Sequence, residues 1–467
     1  MPNGRSNNHE ERHKRLGESS IPRLLFEFSL PAIVGMVVSA SYNVIDRIFI
    51  GHGIDSNGIA GVTIGFPMML VMMAFSMLIG LGGAALISIK LGEQKKNEAE
   101  LVLGNGFVLL VINALLVTFF GLVFMDPLLR IFGASKDVMP YARDYMTVII
   151  SGTIFQSLSF GGNAYIRAEG NPRIAMATML IGAVMNAIFA PIFIFWFKWG
   201  MHGAGAATIC AQAISAGWVL SYFLTGKSSL DLKRANTRLK LEIIGRITAI
   251  GSAPFAMQIA ASMLMIVFNN SLEYYGGDTA IAAMGIVNAI AMLMMMPIFG
   301  INQGAQPIIG YNYGAKKLDR VIKTLRYAIF IATALVTTGY IFIRIFPTGL
   351  MSLFNPNDAE LIRVGAHALT IFLAFLPLVG FQAVSSSYFL AVGKPKLSML
   401  LTLSRQVIFL LPALLILPWF WKLNGIFMSG PFSDLLSSIL TAIFIIREFR
   451  HLKRTHDNRQ PLINPNR

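Results

Sequence analysis

The chain is poor in charge and has almost no cysteine. Only 13% of its 467 residues are charged and 55% are hydrophobic, whereas soluble domains carry about 25% charged residues. Too few polar side chains are present to coat a soluble surface of this size, so the composition excludes a cytosolic enzyme and a disordered protein. The single cysteine, Cys210, excludes an intramolecular disulfide framework and any cysteine-based zinc or iron–sulfur site.

Catalytic motifs are also missing from the sequence. It contains no His-Glu-x-x-His, no Gly-x-Ser-x-Gly and no phosphate-binding loop. A glycine-rich stretch, Gly80-Leu81-Gly82-Gly83-Ala84, lies late in an apolar run with no strand before it, which favours close helix packing over a dinucleotide turn. We therefore expect neither an enzyme nor a cofactor. Without an ATP-binding motif, any transport would draw on an ion gradient.

Long apolar stretches dominate what is present. One membrane-spanning helix needs about 20 apolar residues, and such stretches alternate with short polar breaks along the whole chain. We number them spans 1 to 12, at residues 24–50, 59–88, 101–125, 138–166, 173–197, 203–225, 242–272, 279–310, 319–346, 359–391, 397–418 and 424–447. The sequence thus predicts an all-α, polytopic membrane protein with twelve transmembrane helices.

Positive charge is distributed unevenly among the loops. If the N-terminus faces the cytoplasm, segments on that side hold 29 of the 38 lysines and arginines, and the outer segments hold 7. Basic loops concentrate on the cytoplasmic side of membrane proteins. We therefore predict a protein of the inner membrane with both termini in the cytoplasm. The net charge of +15 then needs no nucleic-acid partner.

The two halves of the chain repeat one another at a distance of about 222 residues. Gly82-Gly83-Ala84 matches Gly304-Ala305-Gln306, and Ala168-Glu169-Gly170-Asn171-Pro172-Arg173 matches Ala391-Val392-Gly393-Lys394-Pro395-Lys396. Because each half has six spans, both enter the membrane from the same side, as in transporters that rock two lobes about a central site. A duplicated scaffold without transport is the alternative. The predicted parts are a tail (1–23), the N-lobe (24–226), a linker (227–244), the C-lobe (245–447) and a second tail (448–467).

Ionisable residues inside the spans are few, and each is a functional candidate because such groups are costly at membrane depth. Asp46 lies near the outer end of span 1, and Asn43 lies one helical turn before it on the same face. We interpret Asp46 as a carboxylate that binds and releases a cation. The alternatives are a structural ion pair with Arg47 and an interfacial charge.

A second acid, Asp434 in span 12, lies at a depth that the side chain of Arg405 in span 11 can reach. The sequence therefore favours a buried ion pair between the two. Such a pair could be structural, or it could form a second site or gate of the C-lobe, and both readings stay open.

Methionines crowd two equivalent spans, with Met72 and Met73 in span 2 and Met294 and Met295 in span 8. The repeat aligns Met72 with Met294. Flexible thioethers suit a surface that accepts apolar ligands of different shapes, so we place these four residues at the substrate cavity. Packing in the core or against lipid is the alternative.

These features together resemble the multidrug and toxic compound extrusion (MATE) family of cation-coupled efflux transporters. The resemblance covers the chain from about residue 21 to 450 and rests on the two six-span halves and the turns after spans 2 and 8. It also rests on three local motifs: Pro31 followed by Tyr42-Asn43-x-x-Asp46, Arg167-Ala168-Glu169-Gly170-Asn171-Pro172, and Leu403-Ser404-Arg405-Gln406 before Pro412. The pattern looks closest to the bacterial branch whose ion site lies in the N-lobe.

The resemblance implies an ion site built from several spans of the N-lobe. In that branch, an aspartate, an asparagine, a tyrosine and a threonine match Asp46, Asn186, Tyr145 and Thr208. A further asparagine matches Asn163. It is 18 residues beyond Tyr145, about 27 Å along one helix, so we assign it to the substrate cavity.

One departure from the family pattern affects the ion site. Where the branch carries a second aspartate, this chain has Ala190, so a carboxylate pair that shares one proton is not available. In the sodium-coupled branch, a glutamate of span 7 occupies the position of Ser262.

The resemblance implies a proton- or sodium-coupled antiporter that acts as a monomer and exports amphipathic, predominantly cationic drugs by alternating access. A flippase for lipid-linked precursors, from the same superfamily, is an alternative. A flippase would favour a strongly basic cavity, yet Arg47 and Arg405 are the only cations that lie well inside the spans. A non-transporting membrane scaffold, such as a receptor, is the other alternative.

Overall fold

The computed structural model describes residues 15–54, 56–353 and 358–457. Some side chains within these ranges are outside the described set, namely those of residues 40–45, 47–48, 51–53, 56–57, 59, 269, 278 and 455–457. Asn43 and Arg47, two residues of the predicted site region, are among them.

Residues 15–18 are helical, and the first half of the chain then forms eight further α-helices in the described ranges. They are Ile21–Gly53, Ser56–Gly92, Lys96–Val123, Met125–Ile131, Met139–Ser151, Thr153–Ala168, Pro172–Pro191 and Gly200–Leu224. A short 3₁₀ turn, Arg234–Thr237, lies in the linker. The second half forms Leu241–Gly314, Leu318–Ile345, Pro347–Ser352, Ala359–Phe372, Leu376–Ala391, Pro395–Leu403 and Leu411–Asp457. Leu241–Gly314 and Leu411–Asp457 each run through a non-helical residue, Gly277 and Lys422, so each contains a turn between two spans.

All twelve predicted spans are helical, which confirms the predicted fold class. Nine helices of the described ranges are long and apolar enough to cross a membrane, and a bent pair in span 10 makes a tenth crossing. One of the nine covers spans 11 and 12 together, on either side of Lys422. Span 4 consists of Met139–Ser151 and Thr153–Ala168, with 13 and 16 residues. Each of these pieces is too short to cross alone.

Breaks in the helices have identifiable physical causes. Span 4 divides at Gly152, where the side chain of Ile209 occupies the space that a Cβ would need. Span 10 bends by 49° before Leu376, since the ring of Pro377 clashes with a helical carbonyl four residues earlier. Span 11 contains a π-helical segment, Ser404–Leu410, just before Pro412. The wider π turn accommodates that proline without ending the span.

The two lobes are in close contact at the ends of spans 1, 2, 7 and 8 that we predict to be cytoplasmic. A Cβ added to any of several glycines there would clash with a backbone oxygen of the opposite lobe, and small residues of this kind let helix backbones approach. The pairs are Gly82 with Ile247, Gly251 with Leu78, Gly92 with Tyr311, and Gly314 with Ile89. We call this contact the inner seam, and it closes the molecule on that side.

Residues 15–19 cross over the end of the inner seam. Leu16 is fully buried, and its carbonyl accepts hydrogen bonds from Asn312 Nδ2 (3.0 Å) and Arg320 Nη2 (3.1 Å). Arg320 Nη2 also donates to the carbonyl of Ser19 (2.6 Å), and Lys317 Nζ donates to that of Gly17 (3.0 Å). Residues 16–19 are thereby tied to the turn between spans 8 and 9 of the C-lobe.

Candidate functional site

Spans 5 and 6 bring two of the predicted ion-site residues into direct contact. Asn186 Nδ2 donates to Thr208 Oγ1 at 3.1 Å, and Thr208 Oγ1 donates to the carbonyl of Ala204 at 3.3 Å. Both side chains are buried. The bond joins the amide and the hydroxyl across the two helices, so it fixes where their oxygens lie.

Asp46 and Tyr145 lie around the same part of the N-lobe. Tyr145 belongs to a buried cluster that also contains Ile50, Ala190 and Ala207. Ile50 lies one turn after Asp46, Ala190 lies one turn after Asn186, and Ala207 adjoins Thr208. Asp46 itself is only 7% exposed. Four helices therefore carry the four predicted residues to one region, which we call the N-lobe site.

Ala190, the residue that stands where a second aspartate was expected, is completely buried in this cluster. Its methyl group packs within the cluster and can neither bind nor release a proton. Among the described acids, Asp46 is the one in the N-lobe site. The roles of Asp46, Asn186, Tyr145 and Thr208 in ion binding stay predictions.

Asn163 lies apart from the N-lobe site, near the inner end of span 4. Its Nδ2 donates to the carbonyl of Ala175 in span 5 at 2.6 Å, and its Oδ1 accepts a short bond from Arg167. Asn163 is buried by these contacts. It joins spans 4 and 5, and its assignment to the substrate cavity stays a prediction.

The four methionines have different surroundings. Met72 is buried within the N-lobe cluster, and Met73 is partly exposed. Met294 packs against Gly339 of span 9. Met295 lines a cavity of the C-lobe. Among the four, Met295 is therefore the best placed to contact cargo, and for all four this contact stays a prediction.

The predicted ion pair of the C-lobe is formed. Arg405 Nε donates to Asp434 Oδ1 at 2.6 Å, across spans 11 and 12. The Asp434 side chain is 5% exposed and that of Arg405 is 33% exposed. The carbonyl of Arg405 also accepts a hydrogen bond from Ser433 Oγ. The two helices are thus joined at one level by a charged and a neutral contact.

A cavity of about 60 Å³ lies beside this ion pair. Spans 8, 10, 11 and 12 contribute to its wall, which is mainly apolar and carries the two charged residues on one side. The lining residues are Ala291, Met295, Phe372, Leu373, Leu376, Arg405, Leu410, Gly430, Ser433 and Asp434. We call it the C-lobe cavity.

A buried glutamate near the inner end of the N-lobe escaped the sequence reasoning. Glu169 Oε2 accepts hydrogen bonds from Ser228 Oγ (2.6 Å) and from the amide and hydroxyl of Ser229 (both 3.1 Å), and Oε1 accepts one from Tyr222. Burial raises the pKa of the Glu169 carboxyl, and these hydrogen bonds oppose the shift. A comparison of the two halves could have identified Glu169, because the residue at the matching position of the C-lobe is the apolar Val392.

The C-lobe buries a different glutamate near its inner end. Glu448 Oε1 accepts hydrogen bonds from Tyr388 Oη at 2.9 Å and from Lys394 Nζ at 2.5 Å. Lys394 stands at the repeat position of Asn171, which donates to the hydroxyl of Tyr222 at 3.1 Å. Each lobe therefore contains a buried acid here, with neutral partners in one lobe and a cation in the other.

No group of three His, Cys, Asp or Glu side chains is placed to hold a metal ion in the parts of the chain described above.

Comparison with known proteins gives matches over almost the whole chain. The MatE family profile matches twice, at residues 31–192 and 254–415, once in each half. The chain is 26% identical over 434 residues to the multidrug export protein MepA of Staphylococcus haemolyticus (strain JCSC1435), covering 93% of this chain and 95% of that protein. It is 25% identical over 440 residues to MepA of Staphylococcus aureus (strain NCTC 8325 / PS 47), covering 92% and 95%.

Solved structures give the same result. The MATE multidrug transporter DinF-BH is 40% identical, with a TM-score of 0.87 that covers 92% of this chain and 96% of that one. A transporter of the MOP superfamily from Pyrococcus furiosus is 24% identical and has a TM-score of 0.89, covering 94% and 98%. At that lower identity, the second likeness concerns the fold alone.

Proposed function

Because the chain belongs to the multidrug and toxic compound extrusion (MATE) family, we propose that it exports amphipathic, predominantly cationic drugs in exchange for protons or sodium ions. The observation that carries the proposal is the N-lobe site, where the buried Asp46 carboxylate lies in the same region of the lobe as the Asn186–Thr208 contact. The names of its relatives as multidrug transporters support the choice of cargo.

Asp46 is the group that binds the coupling cation. A proton would bind directly to the carboxylate. A sodium ion would take oxygen ligands, as hard cations do, from Asp46, from the amide oxygens of Asn43 and Asn186, and from the hydroxyls of Tyr145 and Thr208. With Ala190 in place of a second acid, one carboxylate carries the exchange at this site.

Transport proceeds by alternating access of the central space between the lobes. The inner seam closes the side that we predict to be cytoplasmic, so we assign the structure to the half of the cycle in which cargo leaves toward the outside. Opening toward the cytoplasm requires the glycine contacts of the seam to separate. Cation binding at Asp46 lowers the affinity for drug, and by linkage the drug lowers the affinity for the cation equally.

We place the protein in the inner membrane with both termini in the cytoplasm. It works as a monomer, because one chain supplies both lobes.

The test is ethidium efflux in everted vesicles with an imposed gradient of either protons or sodium ions. We expect one of the two gradients to drive ethidium movement and its collapse by an ionophore to stop it. Ethidium movement that is independent of both gradients would overturn the proposed ion coupling. Vesicles that lack the protein provide the baseline.

A further inference from the structure

The C-lobe cavity has the features of a binding site for one particular chemical group. We propose that it binds the carboxylate of a zwitterionic amphipathic cargo, a molecule with a cationic ring system and one carboxylate, through the terminal nitrogens of Arg405. This inference rests on the proposed export of amphipathic drugs, and it adds a class of cargo and a residue that recognises it.

The first support is the geometry of the guanidinium group. Arg405 uses Nε to hold Asp434 Oδ1 at 2.6 Å, and within the described ranges this is the only hydrogen bond of the Arg405 side chain. A guanidinium carries five N–H donors, so the two terminal nitrogens keep theirs. Those nitrogens form a planar fork that matches the two oxygens of a carboxylate.

The second support is how the cavity is built. Two helix irregularities meet around it, the break of span 10 beside Leu373 and the π-helical segment that carries Arg405. Gly430 of span 12 also lines it, just before Pro431. Broken helices and π segments recur at binding sites, because they turn polar groups toward a space inside the protein. Here the π-helical segment places a cation in a mainly apolar wall.

Size and location limit the occupant. A cavity of about 60 Å³ accepts one small group and not a whole drug. Met295 is five residues before Gly300, about 7.5 Å along span 8, and Gly300 packs against Ile33 of the N-lobe. The cavity therefore lies further toward the predicted outer side than this contact. It lies within the C-lobe, because Met295 is turned about 140° from Gly300 around the helix axis. The side chain of Arg405 is 33% exposed, so the carboxylate of a cargo can reach its terminal nitrogens.

Charge selects a zwitterion over a simple anion. Asp434 neutralises Arg405, so an entering carboxylate adds a negative charge beside a buried acid, which is unfavourable by itself. A cationic ring on the same molecule offsets that charge. Asp434 also holds the guanidinium in place, which makes it a positioning residue for the cargo.

The experiment measures binding of two rhodamine dyes to the purified full-length protein by fluorescence polarisation, without any ion gradient. One dye has a free carboxylate, and the other is its methyl ester. Removal of the charge-assisted hydrogen bonds by Arg405→Gln should weaken binding of the carboxylate dye about tenfold or more. Binding of the ester should change by less than about threefold, since it lacks the charged partner.

Two further variants keep the outcome decisive. Arg405→Gln combined with Asp434→Asn removes both buried charges and should show the same discrimination if the single variant folds poorly. Arg344→Gln makes the same substitution at an exposed arginine of span 9 and should bind both dyes as the wild type does. An equal loss for the two dyes, or no loss for the carboxylate dye, would overturn the proposal. Because binding is measured without a gradient, a failure of ion coupling in vesicles would leave this result unaffected.

Discussion

The two lobes have equivalent helices, but their buried acids have different surroundings. In the N-lobe site, Asp46 is buried and Asn186 donates to Thr208, whereas Asp434 of the C-lobe is held by Arg405 at 2.6 Å. The duplication thus preserves the architecture and changes the electrostatics. A cation beside a carboxylate favours the charged form of that carboxylate.

The same contrast recurs at the inner level. Glu169 accepts its hydrogen bonds from hydroxyl groups and an amide, and Glu448 is held by Lys394 as well as a tyrosine. At the inner level the acid of the N-lobe has neutral hydrogen-bond partners, and at both levels the acid of the C-lobe has a cation. We therefore assign ion exchange to the N-lobe. To the C-lobe we assign acids that are each held in place by a neighbouring cation.

The largest expected effect is loss of transport when the acid of the N-lobe site is neutralised. Asp46→Asn keeps the shape of the side chain and removes its ability to bind a proton or sodium ion. We expect gradient-driven ethidium efflux to disappear while the protein still accumulates in the membrane. Efflux in vesicles, normalised to protein amount, checks this. Near-normal efflux by Asp46→Asn would end the assignment of Asp46 as the coupling residue.

Breaking the ion pair of the C-lobe should cost stability rather than coupling. Asp434→Asn leaves Arg405 without its counter-charge, and we expect a loss of about 1–3 kcal/mol, less than for a fully buried pair because Arg405 is partly exposed. Adding Arg405→Gln should recover most of that loss. Thermal unfolding in detergent measures it. If the double variant is no more stable than Asp434→Asn, the unpaired charge of Arg405 is not the cause of the destabilisation.

The two inner glutamates should respond to neutralisation in opposite directions. Because the folded-state pKa of Glu169 is raised above the ordinary value of 4.5, the folded state favours the protonated form. The stability from this shift is present below pH 4.5 and is lost as the pH rises through the folded-state pKa. Glu169→Gln should therefore flatten the decline of unfolding temperature with pH and should be neutral or stabilising by about 1 kcal/mol at pH 7.

Glu448→Gln is the matched comparison in the other lobe. It leaves Lys394 without its acid, so we expect destabilisation of about 1 kcal/mol at pH 7. Unfolding temperatures of both variants across the pH range provide the measurement. Equal pH profiles for Glu169→Gln and the wild type would show that Glu169 does not titrate differently in the folded state.

Much of the fold was predictable because a membrane span needs only length and apolarity, both of which are local. Helix rise alone predicted that Arg405 reaches Asp434, and the structure contains this pair. The partners of Glu169 could not be predicted in this way, since Tyr222, Ser228 and Ser229 lie more than 50 residues further along the chain. The division of span 4 at Gly152 depends on Ile209 of another helix, so it too has no local signal.

The most direct test of the contrast between the lobes is cation release when drug binds to the purified protein. A pH-sensitive dye in weakly buffered detergent solution reports protons, and protein loaded with radioactive sodium reports sodium ions. We predict that ethidium releases one of these cations from the wild type and from the double variant Arg405→Gln/Asp434→Asn, and none from Asp46→Asn. Release that persists in Asp46→Asn and disappears in the double variant would contradict the account, because the exchanging acid would then lie in the C-lobe.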